Sequence, residues 1–240
     1  MNHITHLISD QGTEIQQHSN IKKEILSYYK NLLSEPPVDH SQAIDTILRN
    51  IPKEVTKEKK EALMRPITQE EVDQALRDTP IGKALGLDRF TLDFSHHCWS
   101  IIRTNVWEII EDSGRSGQVL QALNATFLTL IPKENHTTSP SHFRSISLCN
   151  VIYKLLTKII TTHLKPILPF IISLEQFGYV EGRKILDSVI LAHEVIHSLH
   201  MTKSPGMLLK LDLSKYFDKL SWNYLRSNLL AFGFEPNWVS

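Results

Sequence analysis

The sequence predicts an α+β fold, and three observations carry that expectation. Apolar residues recur at helical spacing over several long stretches. Two short runs on either side of a polar loop read as an antiparallel strand pair, and residues 208–213 form a brief apolar run behind Pro205-Gly206. Helical stretches dominate, so the sheet should be small. The chain has 240 residues, 41% hydrophobic and 22% charged, enough for one core and a helical extension.

Charge and cysteine content narrow the class. Lys plus Arg (26) equals Asp plus Glu (26), so no global positive charge argues for a nucleic-acid partner, and any such surface must be local. Basic residues outnumber acidic ones between Lys133 and Lys210, a weak hint of such a surface. Cys98 and Cys149 form no close pair, which argues against a disulfide framework or zinc knuckle and fits a reducing compartment. The N-terminus lacks a basic start followed by an apolar core, and no stretch reaches membrane-spanning length. The expectation is an intracellular protein of nucleus or cytoplasm, without signal peptide or membrane segment.

Residues 1–19 are polar, and Asp10-Gln11-Gly12 is a turn able to join two short strands. Ile21, Ile25, Tyr28, Tyr29, Leu32 and Leu33 predict an amphipathic helix stopped by Pro36-Pro37, with the tyrosines packing rather than stacking on bases. Ala43, Ile44, Ile47 and Leu48 predict a short helix. The charge-dense stretch 53–61 reads as a solvated linker with an exposed helical face. Thr68-Gln69-Glu70-Glu71 is a capping box opening a helix to about Arg77. Phe94 to Ile110 predicts one long helix ending at Asp112-Ser113-Gly114. His96, His97 and Cys98 diverge on it and do not converge on a metal.

Residues 125–131 read as a strand ended by Pro132, with residues 143–148 as its antiparallel partner. Val151 to Leu168 predicts a long, largely buried helix closed by Pro166 and Pro169. Residues 208–213 read as a buried strand that sets Asp212 at its end. A buried carboxylate needs a partner or a cation, so Asp212 invites a Mg²⁺ reading, against that of a plain turn acid.

A rival motif lies on the helix predicted over residues 187–199. His193-Glu194-Val195-Ile196-His197 matches His-Glu-x-x-His, in which two histidines four apart hold zinc and the glutamate activates water. His200 stands where no standard zincin third ligand lies, and the histidines border the apolar stripe Val189, Ala192, Ile196 and Leu199. Packing is the preferred reading.

Leu211-Asp212-Leu213-Ser214-Lys215-Tyr216-Phe217-Asp218 resembles the first palm motif of reverse transcriptases from plant-type non-LTR (LINE) retrotransposons. Segments from Ile67 onward resemble that family in order and approximate spacing. The resemblance implies a helical linker over residues 1–66, then over residues 67–240 the fingers and partial palm of a right-hand polymerase. It implies that Asp212 coordinates the catalytic Mg²⁺ (or Mn²⁺) ions, that Phe217 excludes a ribose 2′-hydroxyl, and that Lys133 and Arg144 meet the dNTP triphosphate. It also implies that Lys83, Gly182 and Arg183 lie along the RNA template and DNA primer. The residues depart from the family at Leu85, Leu87 and Arg89, where it has Pro, Pro and Gly, at Ser145 for Pro, and at Tyr216 for Ala. The aromatic-Ala-Asp-Asp motif is absent from the 240 residues. The expectation is therefore a truncated, inactive RNA-directed DNA polymerase, or a non-catalytic nucleic-acid-binding remnant.

Overall fold

The computed structural model describes residues 4–9, 12–34, 40–134, 137–211 and 213–239. In chain order the elements are β1 (Leu7–Ile8), β2 (Glu14–Ile15), α1 (His18–Leu33), α2 (Ser41–Leu48), α3 (Lys57–Met64), α4 (Gln69–Arg77), α5 (Leu92–His97), α6 (Trp99–Ser116), α7 (Gln121–Asn124), β3 (Phe127–Pro132), β4 (Phe143–Leu148), α8 (Val151–Leu164), α9 (Leu168–Ile171), α10 (Ile185–Met201), α11 (Tyr216–Lys219), α12 (Trp222–Phe232) and α13 (Pro236–Val239). The fold is α+β, with two small antiparallel sheets, β1-β2 and β3-β4. The chain forms two compact units, one of Met1–Val38 with Pro66–Ile159 and one of Asp39–Arg65 with Ile160–Ser240.

The first unit is built on α4, α6 and α8, whose Val72, Leu76, Val106, Ile110, Leu155 and Ile159 form its main core. Helix α4 starts where the capping box placed it. The Thr68 hydroxyl accepts from the Glu71 amide at 3.2 Å, and the Glu71 carboxylate accepts from the Thr68 amide at 2.9 Å. Asp73 then ties α4 to α6, accepting from Trp99 Nε1 at 2.8 Å and from both Nε and Nη2 of Arg103 at 2.8 and 2.7 Å. The Arg103 guanidinium holds the Asp73 carboxyl below the usual carboxylate range. Burial opposes that shift, and the Trp99 N–H adds to it.

The single helix predicted over Phe94 to Ile110 is two, broken at Cys98 (φ −94°, ψ 8°). The second also runs past Gly114 to Ser116. Gly114 stays helical against Ile67, whose Cδ1 lies 3.0 Å from where a Cβ would stand, and Gly117 at φ 67° supplies the left-handed stop. A smaller core joins the N-terminus to the β3-β4 hairpin, where Leu7, Ile21 and Phe143 are buried with Ile25 and Leu130 against them. Two short strands, β1 and β2, do flank the turn near the N-terminus, but Asp10 and Gln11 of that turn, and Pro36-Pro37 after α1, lie outside the described residues. Tyr29 is buried with Tyr28 edge-on at 5.2 Å, so this pair packs as expected.

In the second unit, Val55, Leu63, Ile167 and Phe234 form the core. The stretch read as a solvated linker is anchored there. The Glu54 and Val55 amides donate to the Phe232 carbonyl at 3.1 Å, and Lys59 Nζ sits 3.5 Å from the Phe170 ring centroid. Helix α8 ends at Leu164 instead of reaching Leu168, because Pro166 cannot donate the bond that would extend it, and Pro169 falls inside the separate turn α9.

Residues 208–211 and Leu213 are not a buried strand, and Asp212 lies outside the described residues. The described residues there have no ladder partner, and Met207 (90% exposed) and Leu211 (77%) stand in solvent. An apolar pattern gives a strand only where a neighbour takes its N–H and C=O groups. The stripe on α10 is only partly covered: Val189 and Ile196 are about half exposed, Ala192 and Leu199 are intermediate, and no residue of that helix is buried.

Candidate nucleic-acid interface

The β3-β4 hairpin orients its charged residues by register. Ile131 pairs with Arg144 and Pro132 with Phe143, and the Lys133 amide donates to the His142 carbonyl at 3.0 Å. Side chains alternate along a strand, so Phe143 and Leu130 turn toward the α1 core, while Ile131, Lys133, Arg144 and Ile146 share the other face. Lys133 and Arg144 are both exposed there, diagonal neighbours at the hairpin's end. Among the described residues neither pairs with a carboxylate. The face ends in two free cations of different shape, a point charge and a fork.

Lys83 lies in the turn between α4 and α5, and an unanticipated residue holds that turn. Asn150, buried immediately ahead of α8, accepts from the Asp88 amide at 3.2 Å and donates to the Ala122 and Leu123 carbonyls at 2.9 and 3.3 Å. Lys154 Nζ reaches the Ala84 carbonyl at 3.1 Å. Gly86 packs so closely that an added Cβ would stand 2.4 Å from Asn150 Oδ1. Arg89, where the resembling family has Gly, takes the left-handed conformation itself (φ 61°). The one legible signal for Asn150 was a polar residue opening an apolar helix.

In the second unit, Arg183 serves its own loop. Its guanidinium donates to the carbonyls of Ser173, Gln176 (2.8 Å) and Ile172 (3.1 Å), bracing the segment that ends at Gly182 (φ 80°). Glu175 in this loop is held below the usual carboxylate range, first by its own backbone N–H and then by the Ser173 hydroxyl, with Arg183 a smaller influence. Tyr179 is 91% exposed in a left-handed conformation, its ring edge-on to Phe217 at 6.4 Å. Phe217 is exposed and also meets Tyr216 at 5.9 Å. Asp212 lies outside the described residues. His193, Glu194 and His197 stand exposed on α10, and among the described residues no three His, Cys, Asp or Glu side chains gather to hold a metal.

Residues 131–240 match the family model described as reverse transcriptase (RNA-dependent DNA polymerase). Over 236 residues, 98% of this chain, the sequence is 31% identical to the Transposon TX1 uncharacterized 149 kDa protein of Xenopus laevis. The chain spans 18% of that relative's length. The family match opens beside Lys133 and takes in Arg144, the Gly182-Arg183 turn and the Asp212 to Phe217 segment. Residues 131–240 are therefore the part of the chain that is similar to the reverse transcriptase family.

Proposed function

We propose that the chain contributes to RNA-directed DNA synthesis by a non-LTR (LINE-type) transposable element, with residues 67–240 forming fingers and the start of a palm and residues 1–66 a helical extension. The hairpin face carrying Lys133 and Arg144 supports this reading best. A lysine and a forked guanidinium side by side on an open face suit a nucleotide triphosphate, whose charge both would neutralise. Lys83 and the Gly182-Arg183 turn would follow the RNA template and DNA primer. Arg183 acts there by fixing the turn, since its own donors are engaged. Phe217 would lie under the deoxyribose.

Asp212 would be one oxygen ligand for Mg²⁺ or Mn²⁺, the ions that supply charge neutralisation in nucleotidyl transfer. The described residues do not by themselves form a metal centre. Two-metal transfer takes carboxylates from more than one element. Asp212 would therefore share such a centre with carboxylates from other elements.

The test is equilibrium binding of a fluorescent dNTP in Mg²⁺. Arg144→Ala should weaken it by about tenfold or more, because a hydrogen bond to a charged group contributes about 1.5–3 kcal/mol and a tenfold change is roughly 1.4 kcal/mol. Unchanged affinity in both Arg144→Ala and Lys133→Ala would remove the triphosphate from this face.

A further inference from the structure

We infer that the exposed face of α1 is a second nucleic-acid contact, in which Lys22, Lys23 and Lys30 grip the phosphate backbone of the template–primer. Helix α1 has two unlike sides. Ile21 and Tyr29 are buried, and Ile21 and Ile25 lock the helix onto Phe143 and Leu130 behind the β3-β4 hairpin. The opposite flank is a shallow groove lined by Ser19, Lys22, Lys23, Leu26, Ser27 and Lys30. Lys23 and Lys30 lie seven residues apart, two turns or roughly 10 Å along the axis, and so point the same way. Lys22 lies about 100° round the helix from that line and borders the groove from its other edge.

The groove is exposed and carries no acid; Glu24, the only carboxylate of α1, projects from a different side. Among the described residues none of the three ammonium groups is paired with a carboxylate. In a chain whose formal charge is zero, this is a local segregation of positive charge. Two classes of polyanion could match it, and the burial pattern separates them. A helix that lies on a lipid surface inserts its apolar face, but that face of α1 is committed to the hairpin core. A phosphate backbone needs only the cations and the polar groove.

The inference rests on the nucleic-acid reading above and adds a site outside the matched residues. It is tested with the full 240-residue chain and an RNA template annealed to a DNA primer, by fluorescence anisotropy across a salt series. The triple variant Lys22→Gln, Lys23→Gln, Lys30→Gln changes only exposed side chains, and circular dichroism checks its fold. Each lost phosphate contact lowers the slope of log affinity against log salt by about 0.7–0.9, so the slope should fall by about 2–3 and low-salt affinity by about tenfold or more. Fluorescent dNTP binding should not change. Wild-type binding with an unaltered slope in the variant would overturn this inference and leave the hairpin reading standing. No template–primer binding by the wild type would overturn this inference and the template–primer reading together, while fluorescent dNTP binding tests the hairpin separately. Vesicle binding that the variant loses, with nucleic-acid binding intact, would give the face to anionic lipid and also overturn it.

Discussion

The α4-α6-α8 core and the segment running from α10 to Leu213 are both rich in Leu, Ile and Val, yet one is buried and the other stands in water. Leu155 is fully buried in the first, while Leu209 in the second is 71% exposed. Apolar content does not separate them. In the core, each apolar stripe meets another, and the polar groups at its edges are answered by Asp73 and Asn150. Around residues 207–211 and at Leu213, no described neighbour takes the backbone groups, so the same residue types stand exposed without a ladder. Burial is a property of the pair of surfaces, and a pattern on one segment reports only half of it.

The sharpest way to break this comparison is to remove the same side chain from each region. Leu155→Ala should cost about 2–5 kcal/mol in urea unfolding through the cavity it leaves. Leu209→Ser should fall within about 0.5 kcal/mol of wild type, as for an exposed position. Comparable losses would show that the 207–213 segment is covered in solution. A smaller effect is expected at the polar edge of the core. Asn150→Ala leaves the Asp88 amide and the Ala122 and Leu123 carbonyls without their partner and should cost about 1–3 kcal/mol. Faster hydrogen exchange at the Asp88 amide would mark the cause, and unchanged protection would refute the clamp.

The smallest effect concerns pH. Asp73 has a lowered value in the folded state, so its contribution is full above the unfolded carboxylate value of about 3.9 and is lost as pH falls through the lower folded value. Asp73→Asn should therefore be less stable than wild type at neutral pH, and the gap should narrow below about pH 4. Unfolding curves followed by Trp fluorescence give the comparison, and a constant gap would exclude the linkage.

What the sequence made legible follows from the range of each interaction. The Thr68 capping box and the β3-β4 pairing depend on residues close in the chain, and both are present, although β3 starts at Phe127 and takes in Pro132. The break at Cys98 and the continuation through Gly114 depend on contacts such as Ile67, which no local pattern reveals. At the candidate surface, Lys133 and Arg144 were readable as types, and the hairpin gave them a common face. Arg183 was readable as basic, but its use on its own carbonyls was not, because those partners belong to a loop without periodicity. The exposed state of α10 was hidden for the opposite reason: its stripe was plain, and what it met was not.

The bond between Asn150 and Asp88 spans 62 residues of chain, and that separation has a consequence during synthesis. At about 5–20 residues per second, Asn150 is made roughly 3–12 s after Asp88. For that interval the Gly86 turn lacks the side chain that holds it, and Arg89 has no tertiary reason to stay left-handed. The α4–α6 helices can associate early, but the turn between α4 and α5 must wait for the start of α8. A ribosome pausing between these points would present a nascent chain with its helices in place and this loop still searching.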